Sequence, residues 1–202
     1  MSSKKWFGPS RAEIWRKLAE ELNARYTESG WNKNEKVQVE HDEWTVTLDS
    51  FIVMAGQAPI TFTRFRAPFI NPEGFRFRIH HRNIFTGIKK MFGMQDIEIG
   101  HEKFDNDFVI QSNNEKKILE LLANDRIREI LSSEPALEFR IVDDEGWFGT
   151  KYPKDTDSLF VSTGGEIKDI QRLKKLFDLF AETLEEMCRI GVAYHQSPNL
   201  EL

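Results

Sequence analysis

The chain has 202 residues, of which 40% are hydrophobic, 12% aromatic and 30% charged, the composition of a soluble globular protein with a sizeable core. Its formal net charge of -5 opposes phosphate backbones and anionic lipid, so nucleic acid is a disfavoured partner outside a local basic patch. A single cysteine, Cys188, excludes an internal disulfide framework and suits a reducing compartment.

The first nine residues carry Lys4 and Lys5 but no apolar run of signal-peptide type, and nowhere is an apolar stretch long enough to span a bilayer. A cytoplasmic location without membrane insertion is the expectation. Residues 1–9 read as a flexible N-terminus, 10–191 as a single domain and 192–202 as a C-terminal tail containing His195.

Ser10-Arg-Ala-Glu13 is a capping-box pattern, and Ile14, Trp15, Leu18, Ala19 and Leu22 follow at helical spacing. Lys36–His41 and Trp44–Met54 alternate apolar with polar residues around Asp42-Glu43, which predicts a hairpin. Ile60–Phe69 and Phe75–Arg82 flank the turn Ile70-Asn-Pro-Glu-Gly74, which predicts a second one. In that register Phe65, Ala67 and Phe69 share one face with Phe75, Phe77 and Ile79. The other face sets Arg66 opposite Arg78 and Arg64 opposite His80, with Arg76 close by. Ile60 and Phe62 have the wrong parity for this pairing, which points to a bulge near Thr63.

Asn83–Met94 is a basic connection carrying Lys89 and Lys90, and Gln95–Gly100 and Phe108–Gln111 are further short strands. Ser112-Asn-Asn-Glu115 caps a helix over Ile118, Leu119 and Leu122, and a second helix runs from Asp125 to Ser133 until Pro135 stops it. Leu137–Val142 and Leu159–Ser162 are the last strands, separated by a turn-rich loop with Trp147, Phe148, Gly149 and Tyr152. A long amphipathic helix then repeats Leu173, Phe177, Phe180, Leu184 and Met187 up to Gly191.

The fold class that follows is α+β: a largely antiparallel sheet of about six to eight strands with an N-terminal helix, a central helix pair and a long C-terminal helix on its apolar face. In a helix-grip variant the sheet would wrap the last helix around a cavity.

No catalytic signature stands out, and the chain reads as more a binder than an enzyme, with no cofactor implied. There is no Gly-x-Ser-x-Gly elbow, no Walker spacing and no paired-histidine or Cys-x-x-Cys metal motif. Asp96, Glu98, His101, Glu102, Asp105 and Asp107 crowd one segment, and a metal-dependent hydrolase could use Asp96, Glu98, His101 and Asp105 as mixed ligands. Against that, Asp96 and Glu98 beside arginines would simply neutralise them, and Asp105 suits a turn or capping role.

The arginine face is the better candidate. Arg64, Arg66, Arg76, Arg78 and His80, extended by Lys89 and Lys90, could hold carboxylate or phosphate groups of an anionic small molecule or a protein partner. The competing reading is a salt-bridge network with Asp49, Asp96 and Glu98. A carrier of an apolar ligand is a further class, if the fold encloses a cavity.

Thr63-Arg-Phe-Arg-Ala-Pro68, Gly74-Phe-Arg-Phe77, Gly93-Met-Gln-Asp-Ile-Glu-Ile-Gly100, Phe104-Asp and Phe108-Val-Ile together resemble a family of uncharacterised bacterial proteins of unknown function. The resemblance runs from Trp15 through the final helix. It implies a bacterial, cytoplasmic origin and brings no activity, cofactor or site residue.

Overall fold

The computed structural model describes residues 8–30, 35–83, 95–143, 151–200 and 202. In chain order these form α1 (Arg11–Leu22), β1 (Arg25–Thr27), β2 (Lys36–His41), β3 (Trp44–Ala55), β4 (Ala58–Ile70), β5 (Phe77–His81) and β6 (Gln95–Ile97). Then come α2 (Glu102–Asp107), β7 (Phe108–Ser112), α3 (Glu115–Leu122), α4 (Asp125–Ser133), β8 (Glu138–Val142), β9 (Thr156–Gly164) and α5 (Ile170–Arg189). Lys89, Lys90, Trp147, Phe148 and Gly149 lie outside the described residues.

The α+β class is as expected, with nine described strands in the order β1-β2-β3-β4-β9-β8-β5-β7-β6, every neighbouring pair antiparallel. Ser10 and Glu13 do form the reciprocal capping box that opens α1. The β2–β3 hairpin forms with His41 opposite Trp44.

The second predicted hairpin does not form. β4 pairs with β3 and β9, β5 pairs with β8 and β7, and β9 and β8 lie between the two segments. The link from Ile70 to Phe77 crosses the end of the sheet instead of folding back on itself. Asn71, 3% exposed, holds the crossing: its Oδ1 accepts from Phe75 N at 3.0 Å, its Nδ2 donates to Phe75 O at 3.0 Å, and it also bonds to buried Asp157 on β9. A buried loop has to satisfy its own polar groups, and one asparagine does most of it here. Nor is there a bulge at Thr63, since the β3–β4 pairing runs unbroken from Thr47↔Arg66 to Ala55↔Ala58. Thr63 points to the core side, where its hydroxyl donates to Gly165 O and accepts from Ile167 N.

Period-two alternation gives the sheet two unlike faces. One row across it reads Val37, Leu48, Phe65, Val161, Phe139, Ile79, Ile110, Ile97, all buried. Helix α5 lies on this row, with Phe177 edge-on to Phe65 at 5.0 Å and Phe180 near Phe65 and Phe139 at 6.0 and 6.2 Å. Helices α1, α3 and α4 pack against α5. Gly191, at φ 73°, ends α5 in the left-handed region. The chain beyond it does not leave the body at once: Val192 and Ala193 are buried, and Leu202 O accepts from Lys36 Nζ at 2.6 Å.

Candidate functional site

The next row on the opposite face reads Gln38, Thr47, Arg66, Phe160, Arg140, Arg78, Gln111, Asp96 from β2 to β6. A row beside it carries Asp49, Arg64, Ser162, Glu138 and His80. The phenylalanine and arginine alternation within β4 and β5 therefore places the two residue types on opposite faces, although the strands themselves are not neighbours.

This polar face is not an open surface. Arg66 is 5% and Arg78 8% exposed, and Asp49, His80 and Phe160 are also buried. At β3–β4, Arg64 grips Asp49 with two bonds of 2.7 Å, and Arg66 Nη2 reaches the same carboxylate at 2.5 Å. Burial lowers the Arg66 guanidinium from its ordinary value, Asp49 opposes that shift and Arg64 adds to it. Guanidinium holds its proton even so. Arg76 pairs with Asp157 and, at 3.7 Å, with Asp143. In these places the salt-bridge network outlined from sequence exists, although Asp157, not Asp96 or Glu98, supplies the anion for Arg76.

The step between β5 and β8 differs. Arg78 and Arg140 stand directly opposite each other, and the carboxylate that serves both is Glu138. Its Oε1 lies 2.5 Å from Arg78 Nη2 but 3.6 Å from Arg140 Nε. Neither Arg78 Nε nor Arg140 Nε has a hydrogen-bond partner among the described residues, although both atoms are buried. Arg140 lies over the Phe160 ring at 4.8 Å from its centroid. His80, opposite Glu138, completes the group, with Nδ1 3.0 Å from His81 O.

The acidic segment does not assemble as a metal site. Asp105 accepts from Ile99 N at 2.9 Å and His101 N at 3.0 Å, so it acts as the capping residue of the turn into α2. Asp96 accepts from Gln111 at 2.8 Å. Asp96, Glu98, Arg82 and Glu115 do line an open hollow of about 560 Å³ beside β6 and β7, but their carboxylates do not converge.

The sequence reading missed Arg140 and Glu138 because β8 carries a single Arg, and only the strand order shows that it lies between β5 and Phe160. Missed for the same reason was a cluster of His41, Asp42 and Glu185, whose ligand atoms all lie within 4.8 Å of one another. Among the described residues no helix is long and apolar enough to cross a membrane.

No family model matches the chain, and no curated protein matches it. Among solved structures, it is similar to the mycobacterial trehalose monomycolate transport factor A, with a TM-score of 0.47 and 8% identity over 85% of this chain and 95% of that one. A likeness this distant carries neither ligand nor activity across.

Proposed function

We propose that this chain is a binding module, not a catalyst, and that the Arg78–Arg140 step of the sheet takes the carboxylate or phosphate group of a small anionic molecule. One observation carries the reading: two guanidinium groups directly opposed on adjacent strands share one carboxylate, and among the described residues neither buried Nε has a hydrogen-bond partner. Like charges facing each other across strands are destabilising, and a buried donor without an acceptor costs about 1–3 kcal/mol. An oxyanion on this step would answer both, because guanidinium groups bind planar anions through paired N–H donors. A small ligand fits better than a broad protein surface, since the Arg78 side chain is 9% exposed and Arg140, at 30%, is the more accessible of the two.

Arg66 is not the residue on which to test this role. It is buried against Asp49, so reversing its charge would set two carboxylates together and unfold the β3–β4 region.

Titration calorimetry with inorganic phosphate and with citrate as probes tests the proposal. The expected result is binding of at least one probe by the native chain and a loss of at least about tenfold in affinity for Arg140→Gln and for Arg78→Gln with Arg140→Gln. Arg140→Gln alone touches the more exposed residue, so its fold should be intact by circular dichroism. Undiminished affinity in both variants, or no binding of either probe by the native chain up to about 10 mM, would reject the reading.

A further inference from the structure

At the opposite end of the molecule, the β2–β3 turn, helix α5 and the segment after it bring together His41, Asp42, Glu43, Glu185 and His195. His41 Nε2 lies 3.4 Å from Glu185 Oε1, His195 Nδ1 lies 3.4 Å from Glu43 Oε2, and His195 Nε2 lies 4.0 Å from Glu185 Oε2. The ligand atoms of His41, Asp42 and Glu185 are mutually within 4.8 Å.

We propose that His41, Asp42 and Glu185 form a divalent-cation site of the zinc type, with His195 beside them and the fourth position left to water. Four observations point the same way. The first is geometric. Two ligand atoms on a tetrahedral ion with bonds of about 2.1 Å are separated by about 3.4 Å, and that is the spacing found between His41 Nε2 and Glu185 Oε1. Second, His41 Nε2 is shielded from solvent and has no hydrogen-bond partner among the described residues. A shielded imidazole nitrogen facing a carboxylate at non-bonding distance leaves room for an ion between them.

Third, the charge is unbalanced. Asp42, Glu43 and Glu185 form no ion pair with any Lys or Arg among the described residues; their neighbours of opposite potential charge are the two imidazoles. The nearby Cys188 thiol registers this field: burial first, then Glu185 and Glu43, push it up to about 11. Fourth, the two imidazoles share a neighbour. Buried Trp44 lies beside both rings, 6.2 Å from His41 and 5.3 Å from His195 between centroids. An imidazole nitrogen with two carboxylate oxygens suits Zn²⁺ better than the all-oxygen ions Ca²⁺ and Mg²⁺.

The test uses untagged full-length protein freed of metal with chelator, and Zn²⁺ and Co²⁺ salts alone as probes. Zn²⁺ should raise the melting temperature by about 5 °C or more at saturating concentration, and Co²⁺ should give the intense visible bands of tetrahedral coordination. Glu185→Gln and His41→Gln should each weaken Zn²⁺ binding by at least about tenfold, while Glu98→Gln, remote from the cluster, leaves it unchanged. If a variant fails to fold, the Co²⁺ spectrum of the native chain still decides. No Zn²⁺ binding tighter than about 100 μM, an octahedral Co²⁺ spectrum, or variants that bind as the native chain does would overturn the proposal.

Discussion

Buried acids and bases in this protein are held one by one, and the exceptions stand out because of it. Glu134, 2% exposed, takes two bonds from Arg172 at 2.9 and 2.7 Å, and buried Glu35 is met by Arg11 at 2.7 Å and Tyr26 at 2.6 Å. Burial, with the Glu35 hydrogen bond next, pushes the Tyr26 phenol up to about 12. Both Tyr26 and Cys188 thus keep their protons in the folded chain where the unfolded chain would lose them, rising from ordinary values of 10.0 and 9.0 to about 12 and 11. A group raised on folding gives its full stabilisation below its unfolded value and loses it as pH climbs to the folded one. Melting temperature should therefore hold near pH 8 and fall between about pH 9 and 12, with Cys188→Ala easing the lower part of the decline and Tyr26→Phe the upper part. A flat profile over that window would contradict the burial of these two groups. Sequence could name Arg78 as a candidate, yet not its neighbour. That Arg140 faces it, and that Glu138 pairs with both, depends on Arg78 and Arg140 meeting across 62 positions of sequence, which no local pattern encodes.

At the scale of elements, local signals were dependable wherever the stabilising contacts are local. The capping box at Ser10, the alternation through β2 and β3 and the three-four spacing of α5 each depend on residues within a few positions of one another. Asp169 caps α5, accepting from Gln171 N at 2.8 Å and Arg172 N at 3.1 Å. Asp169→Ala should cost about 1 kcal/mol in denaturant unfolding, and a change of no more than a few tenths would mean the cap contributes little. The β4–β5 link was misread for an equally physical reason. A five-residue loop between two complementary strands normally closes a hairpin, but here Asn71 and Asp157 supply enough buried bonds to carry the chain across the sheet end. The opposite parity of Ile60 and Phe62 marks the projecting end of the β3–β4 hairpin, where Phe62 stacks on Phe51 at 5.3 Å and Ile60 is 42% exposed.

For the whole molecule, the apolar face of the sheet is covered by α5, and the arginines gather on the opposite, polar face. Its composition was readable from β4 and β5 before any coordinates: an acidic chain that concentrates arginines on one face does so against its own average charge. What composition could not convey is how much of that charge is cancelled internally, because Asp49, Glu138 and Asp157 reach their partners only after the strands are ordered. Arg64 and Arg76 each grip a carboxylate, whereas Arg78 Nε and Arg140 Nε have no hydrogen-bond partner among the described residues. The most direct measurement is the arginine Nε–Hε region of the NMR spectrum during a phosphate or citrate titration, with assignment by Arg78→Gln and Arg140→Gln. Saturable shifts at those two Nε–H groups, with the Arg64 signal nearly still, are the predicted result. Shifts confined to other arginines, or none at all, would contradict the account.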